Sequence, residues 1–291
     1  MIRKILLFLS LVFILSCNST QVEYDSNALK VGTFNLEWFG DGVDDRNQRS
    51  DYDVKMIADL MIESGADIIG LQEIENAAAM DRLIKHMPGY KYIMGETGYV
   101  QNPAVIFRDS INVKFVENYQ PLAVKPNRTR AGLVVEVKKG NFDFVMMVVH
   151  FKSTSRFDST QQLRQESFEL RRQQALVVKN WADSITTNTK ERDVIIVGDF
   201  NDNPKRDTKV LLPIIQSNEY MFLSESLGSC KNPNWDCIDH IVINRSVFER
   251  LLPGTVYMYD VPAKYEDYEV DKISDHCPVY TKFNITNPDN D

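Results

Sequence analysis

The run Val194 to Pro204, VIIVGDFNDNP, constrains this chain more than any other stretch. Its first four residues are apolar and β-branched, the pattern of a strand covered on both faces. A glycine follows, and then Asp199, Phe200, Asn201 and Asp202. A carboxylate at the end of a buried strand is costly unless a partner meets its charge. Asp199 and Asn201 stand two apart, so extended chain turns both side chains the same way. Together they offer a charged and a neutral oxygen, which suits magnesium, manganese or calcium better than zinc. A plain polar turn, in which both side chains bond only their own backbone, would use the same residues.

The arrangement recurs along the chain. Asn35 ends an apolar run in TFN, Glu73 in GLQE and His150 in VVHF. Asp239 sits inside CIDHIVI, and Asp275 and His276 stand just before the last apolar run, CPVYTKF. Any one of these could be a cap or a turn. Six such sets, each breaking an apolar strand pattern, call for a common cause. The other two histidines read as structural. His86 falls late in a helix, where a cation suits the dipole. His240 follows Asp239 and so points to the opposite face of its strand.

Between these runs lie amphipathic segments. SDYDVKMIADLMIESG has Ser50 as N-cap, Val54, Ile57, Ala58 and Met61 at helical spacing, and Gly65 as a stop. A short helix ends near His86 and Pro88. The longest helix spans QQLRQESFELRRQQALVVKNWADSI, with Leu163, Leu170, Val177, Trp181 and Ile185 as its apolar stripe. PAVIFRDS and INVKFVEN read as an antiparallel pair around Asp109-Ser110, and AGLVVEVKKGNFDFVMMVVHFKS as a hairpin turning at Lys139 to Asn141. Strands in pairs and in helix-linked units point to an α/β chain of two mixed sheets with helices outside. No linker, repeat or low-complexity run divides it, so one domain is expected.

The start is different in kind. MIRKILLFLSLVFILSC has a basic n-region, Arg3 and Lys4, and an apolar core from Ile5 to Leu15. That core is short for a bilayer span and fits a signal peptide over 1–16. Its end, ILSC, resembles the lipobox of bacterial lipoproteins, which implies lipidation of Cys17 and a tether over 17–28. The domain is expected over 29–285, with a polar tail over 286–291. The expected location is a membrane surface, outer membrane or cell surface, with a soluble secreted protein as the alternative. Cleavage removes two cationic residues and takes the formal charge from −8 to −10. So acidic a protein binds a polyanion only through local basic groups or bound cations. An exported chain permits disulfides. The short loop CKNPNWDC suggests a Cys230–Cys237 bridge, leaving Cys277 as a buried free thiol.

The ordered set TFN, LQE, HF, GDFND, IDH and SDH resembles the endonuclease/exonuclease/phosphatase superfamily, and in its motifs is most similar to secreted bacterial nucleases. The resemblance runs from about Leu29 to Phe283. It implies a four-layer sandwich, two mixed β-sheets packed face to face with helices outside. It also implies that Asn35, Glu73 and Asp275 hold a metal, Mg2+ with Mn2+ or Ca2+ as substitutes. His150 would stabilise the phosphoryl oxygens. Asp199 and Asn201 would orient the nucleophile or leaving group, Asp239 would orient His276, and His276 would be the general base. Arg130, in TRAG, would contact phosphate. The implied activity is metal-dependent phosphodiester hydrolysis by a monomer acting on DNA or RNA. Lys125, Arg128, Arg130, Lys152 and Arg156 read either as a local basic rim for a nucleic-acid strand or as ordinary solvated charge. A sphingomyelinase-like or phosphoinositide phosphatase-like enzyme is the alternative. A non-catalytic binding lipoprotein is a reading of another class, and it has no use for both His150 and His276.

Overall fold

The structure is a computed structural model and describes residues 25–97, 100–232, 234–289 and 291. The segment expected as a signal peptide, and Cys17, lie outside the described residues. Two six-stranded sheets form the core. In sheet order the first contains β11 (Tyr257–Met258), β12 (Val279–Asn284), β1 (Ala28–Phe39), β2 (Ile68–Ile74), β4 (Asn102–Arg108) and β3 (Tyr90–Met94). The second contains β5 (Asn112–Tyr119), β6 (Gly132–Lys139), β7 (Phe142–His150), β8 (Val194–Asp199), β10 (Asp239–Asn244) and β9 (Tyr220–Phe222). Both mix parallel and antiparallel pairs.

The strands that read as apolar on both faces are buried on both. Val31, Ile68, Val148, Ile195 and Val197 meet between the sheets. Their neighbours turn outward beneath helices. Phe34 and Ile69 pack with Val54, Ile57 and Met61 of α1 (Asp51–Glu63) and Leu83 of α2 (Ala77–Ile84). Val149 and Ile196 pack with Val178 and Trp181 of α3 (Gln161–Asn188). The result is the expected four-layer α/β sandwich. Gly70 in β2 lets the sheets close up, since a Cβ there would lie 2.5 Å from Val197 Cγ2. Three short helices, α4 (Leu212–Ile215), α5 (Arg245–Phe248) and α6 (Asp267–Ile273), lie in the later connections.

Ser50 caps α1 as the sequence indicated, in a full capping box with Asp53. Three expectations need correction. PAVIFRDS and INVKFVEN do not pair: β4 lies between β2 and β3 in the first sheet, and β5 pairs with β6 in the second. At Asp109-Ser110 the chain changes sheets. In α3 the buried face keeps Leu170 and Trp181 but runs through Gln174, Ala175, Val178 and Ala182, with Leu163, Val177 and Ile185 only half-buried. Leu163, Leu170 and Val177 are seven apart, and a seven-residue stripe drifts about 20° per repeat around a straight helix. The disulfide joins Cys230 to Cys277, and the buried free thiol is Cys237.

The sandwich has two distinct poles. The parallel pairs β1–β2 and β7–β8 end at one pole, where the antiparallel partners β10 and β12 begin. At the other pole the described chain enters β1. There Ile285 N donates to Asn27 O (3.1 Å), Asn141 N to Ile285 O (2.9 Å) and Lys139 Nζ to Ala28 O (2.8 Å).

Candidate active site

Strand register brings the polar strand ends together. His150 on β7 lies beside Asp199 on β8, and Asp199 lies beside Asp239 on β10. Gly198 is required before Asp199: its φ is +149°, and a Cβ would fall 2.0 Å from Val149 O. Asn201, at φ +52°, curls back so that its N–H reaches Asp199 Oδ1 (2.7 Å) and its Nδ2 reaches Asp199 Oδ2 (2.9 Å). The same Nδ2 donates to Phe151 O at 3.1 Å. From the first sheet, Asn35 is buried and crosses the gap, its Nδ2 donating to Asp199 Oδ2 (3.2 Å) and Glu73 Oε1 (3.4 Å).

The two site histidines differ in their partners. His276 Nδ1 lies 2.7 Å from Asp239 Oδ2, while its Nε2 faces Asp199 Oδ2 (3.9 Å) and Asp275 Oδ1 (3.8 Å). Burial works against the imidazolium, yet Asp239, by charge and hydrogen bond, with Asp199 and Asp275 behind it, raises the His276 pKa well above its ordinary value. His150 is buried with its Nε2 at 3.7 Å from Glu73 Oε1 and 3.6 Å from Asp199 Oδ2. Burial, and then the Arg130 charge, push its pKa well below the ordinary value. Burial also pushes the Asp199 carboxyl up to about 7; His276 opposes this, and Asp239 and Glu73 add to it.

These features fit a hard divalent cation. A buried carboxyl held at about 7 is an anion short of positive charge. Among the described residues Asp239 Oδ1 has no hydrogen-bond partner, and neither has His150 Nδ1. Glu73 and Asp199 supply oxygen donors of the kind such an ion takes; Asn35 turns its Nδ2 to both carboxylates and its Oδ1 to Glu37 N, and would offer oxygen to the ion with its amide turned over. Among the described residues, Asp199, Asp239 and His276 bring a ligand atom each within 4.8 Å of one another. Since Asp239 and His276 are already joined to each other, their geometry is that of an oriented base. Asp275 stands at the rim with its side chain 58% exposed.

The predicted basic rim is largely engaged within itself. Glu166 pairs with Lys125 and Arg128, and Asp158 with Arg128 (3.4 Å) and Lys152 (3.6 Å). Arg156 lies over the exposed Phe157 ring at 5.2 Å. Arg130 donates to Gln101, and its charge is felt at His150. His240 is structural, held between Ser224 Oγ (2.7 Å) and Asp202 O (3.0 Å). Two residues escaped the sequence reading. Glu37 accepts the Asp275 N–H through Oε2 (3.1 Å), and Arg49 is buried beneath the end of β1. Neither stands at the end of an apolar run, the signal that found the others.

The sequence model of the Endonuclease/Exonuclease/phosphatase family matches residues 37–264, more than half of the chain. No curated protein matches. Among solved structures, TDP2 of D. rerio complexed with a single strand DNA product superposes with a TM-score of 0.63 at 21% identity, over 88% of this chain and 99% of that one. An endonuclease/exonuclease/phosphatase family protein of Bacteroides thetaiotaomicron gives 0.61 at 18% identity, over 89% and 96%. The mannosyl-6-phosphatase of the same organism gives 0.59 at 17% identity, over 87% and 98%.

Proposed function

Because the chain belongs to the endonuclease/exonuclease/phosphatase family, phosphoric ester hydrolases that use divalent metals, we propose that it is a magnesium-dependent nuclease that cuts DNA or RNA by in-line attack of water. The observation that carries the hydrolytic reading is the Asp239–His276 couple aimed at Asp199. A proton on His276 Nδ1, held by Asp239, leaves Nε2 facing the cleft to take a proton from water. Glu73 and Asn35, with Asp275 at the rim, would hold the cation, which supplies Lewis-acid polarisation of the phosphoryl oxygen. Asp199, fixed by two bonds from Asn201, orients the attacking or departing oxygen. His150 and Arg130 face the charge on the phosphoryl group. The likeness to TDP2, whose structure carries a DNA product, supports nucleic acid as the substrate.

A phosphomonoesterase is the second reading. The pairing of Lys125, Arg128 and Lys152 with Glu166 and Asp158 favours it, because those cations are partly spent before a polyanion arrives. One experiment decides between them. The pure enzyme is given plasmid, RNA, a sugar 6-phosphate, a phosphoinositide and sphingomyelin with Mg2+, Mn2+ or Ca2+, and each again with EDTA. The nuclease reading expects nucleic acid to be cut fastest and EDTA to stop it. Faster release of inorganic phosphate from the sugar phosphate would replace it. Export and acylation at Cys17 belong to the same proposal; detergent-phase partitioning that Cys17→Ala does not alter would remove them.

A further inference from the structure

Arg49 lies beneath the cleft, 5% exposed, and every N–H of its guanidinium has a carbonyl partner. Nη2 donates to Leu36 O (2.9 Å) and Ile273 O (3.2 Å). Nη1 donates to Glu37 O (3.0 Å) and Trp38 O (3.4 Å), and Nε to Lys272 O (2.7 Å). Three of these carbonyls belong to β1 and two to the last turn of α6. Helix C-terminal carbonyls lack intrahelical partners and favour a cation, so Arg49 caps α6 while it grips β1.

The β1 segment it grips is strained. Glu37 (φ +44°) and Trp38 (φ +53°) are consecutive left-handed residues without glycine. Such residues cost on the order of 1–3 kcal/mol each and persist only where the surroundings fix them. Their N–H groups point at the proposed metal ligands. Glu37 N donates to Asn35 Oδ1 (3.0 Å) and Trp38 N to Glu73 Oε2 (3.0 Å). From the other side, the loop after α6 docks on the same segment: Ser274 Oγ donates to Asn35 O (2.7 Å) and Asp275 N to Glu37 Oε2 (3.1 Å). His276 follows directly.

We infer that Arg49 is a positioning residue for the hydrolysis. By holding the Leu36–Trp38 bulge and the end of α6 in one guanidinium, it fixes Asn35 and Glu73 relative to His276. The inference rests on the metal-assisted reading of the site but on neither choice of substrate. Lysine cannot replace arginine here, because three donors on one nitrogen cannot span five carbonyls on two elements.

The test compares the parent with Arg49→Lys on bis-p-nitrophenyl phosphate and p-nitrophenyl phosphate at saturating Mg2+, well below the melting temperature. Turnover should fall about ten- to a hundredfold, the cost of a small misplacement of reacting groups, with KM within about twofold. Amide hydrogen exchange, read without metal or substrate, should speed up together at Trp38 and Asp275. Arg250→Lys is the control. That arginine is also buried, but it pairs with Asp193 and donates to Asn287 O and Pro288 O at the far end of the chain. It should lower the melting temperature and leave turnover alone. A folded Arg49→Lys with parental turnover, or faster exchange at only one of the two amides, overturns the inference. If Arg49→Lys does not fold, Glu37→Ala decides, since it cuts the Asp275 N–H link between the same two segments and leaves the His276 N–H bond to Ser274 Oγ in place: lower turnover supports the coupling, and unchanged turnover overturns it. A parent that hydrolyses neither ester with metal would sink the hydrolytic reading, and the exchange measurement alone would then judge Arg49.

Discussion

His150 and His276 face the same Asp199 carboxylate from opposite sides of the cleft, yet their environments drive them apart. His276 has a carboxylate on its far nitrogen at 2.7 Å. His150 has none there, and Arg130 adds positive charge beside it. An imidazole backed by a carboxylate can gather a proton and hold its tautomer. An imidazole buried without one stays neutral, and in the proposed mechanism His150 offers its ring N–H to the phosphoryl group. Two copies of one residue, some ångströms apart, are thereby fitted for different work.

The sharpest way to break this contrast is His276→Ala. Turnover should fall by about two to four orders of magnitude, the range of a lost general base, with circular dichroism unchanged. Near-parental turnover would place the base elsewhere. Asp239→Asn tests the contrast more gently. It removes the backing charge while keeping the ring, and a loss of about ten- to a hundredfold is expected, as for other partners that orient a reacting group. Arg130→Ala alters the His150 side. If Arg130 positions substrate phosphate, KM should rise about tenfold with a smaller change in kcat, the size of one charge-assisted hydrogen bond.

The smallest effect is the pH dependence of stability in metal-free protein, where the two histidines have opposite signs. His276 has a raised pKa in the folded state. Its contribution is therefore complete below the ordinary pKa of 6.5 and is lost as pH rises through the folded value. His150 has a lowered pKa. Its contribution is complete above 6.5 and is lost as pH falls toward the folded value. Urea unfolding of the parent and of each alanine variant across pH should show the two differences shrinking in opposite directions. Parallel trends would mean that the histidines are not distinguished as described.

The convergence of the candidate site was readable in the sequence because burial makes polar residues conspicuous. Asn35, Glu73, His150, Asp199 and Asp239 each interrupt an apolar run, and strand register carries all five to one pole. The errors arose where local pattern had to stand in for tertiary pairing. Asp109-Ser110 has the look of a hairpin turn, and nothing within ten residues of it says that β5 will join the other sheet. Cys230 and Cys237 are near in sequence, but the loop instead brings Cys230 to Cys277, tying it beside His276. Arg49 was invisible for a different reason. It serves backbone carbonyls, and a carbonyl leaves no mark in an amino-acid sequence.

The entry of the described chain and the cleft lie at opposite poles. β1 begins at Ala28 at one pole and delivers Asn35 to the other, seven residues and about 23 Å further on. Anything coupled to the chain just ahead of Ala28 therefore joins the domain on the side away from the cleft, and a tag or surface attached there leaves the cleft mouth open.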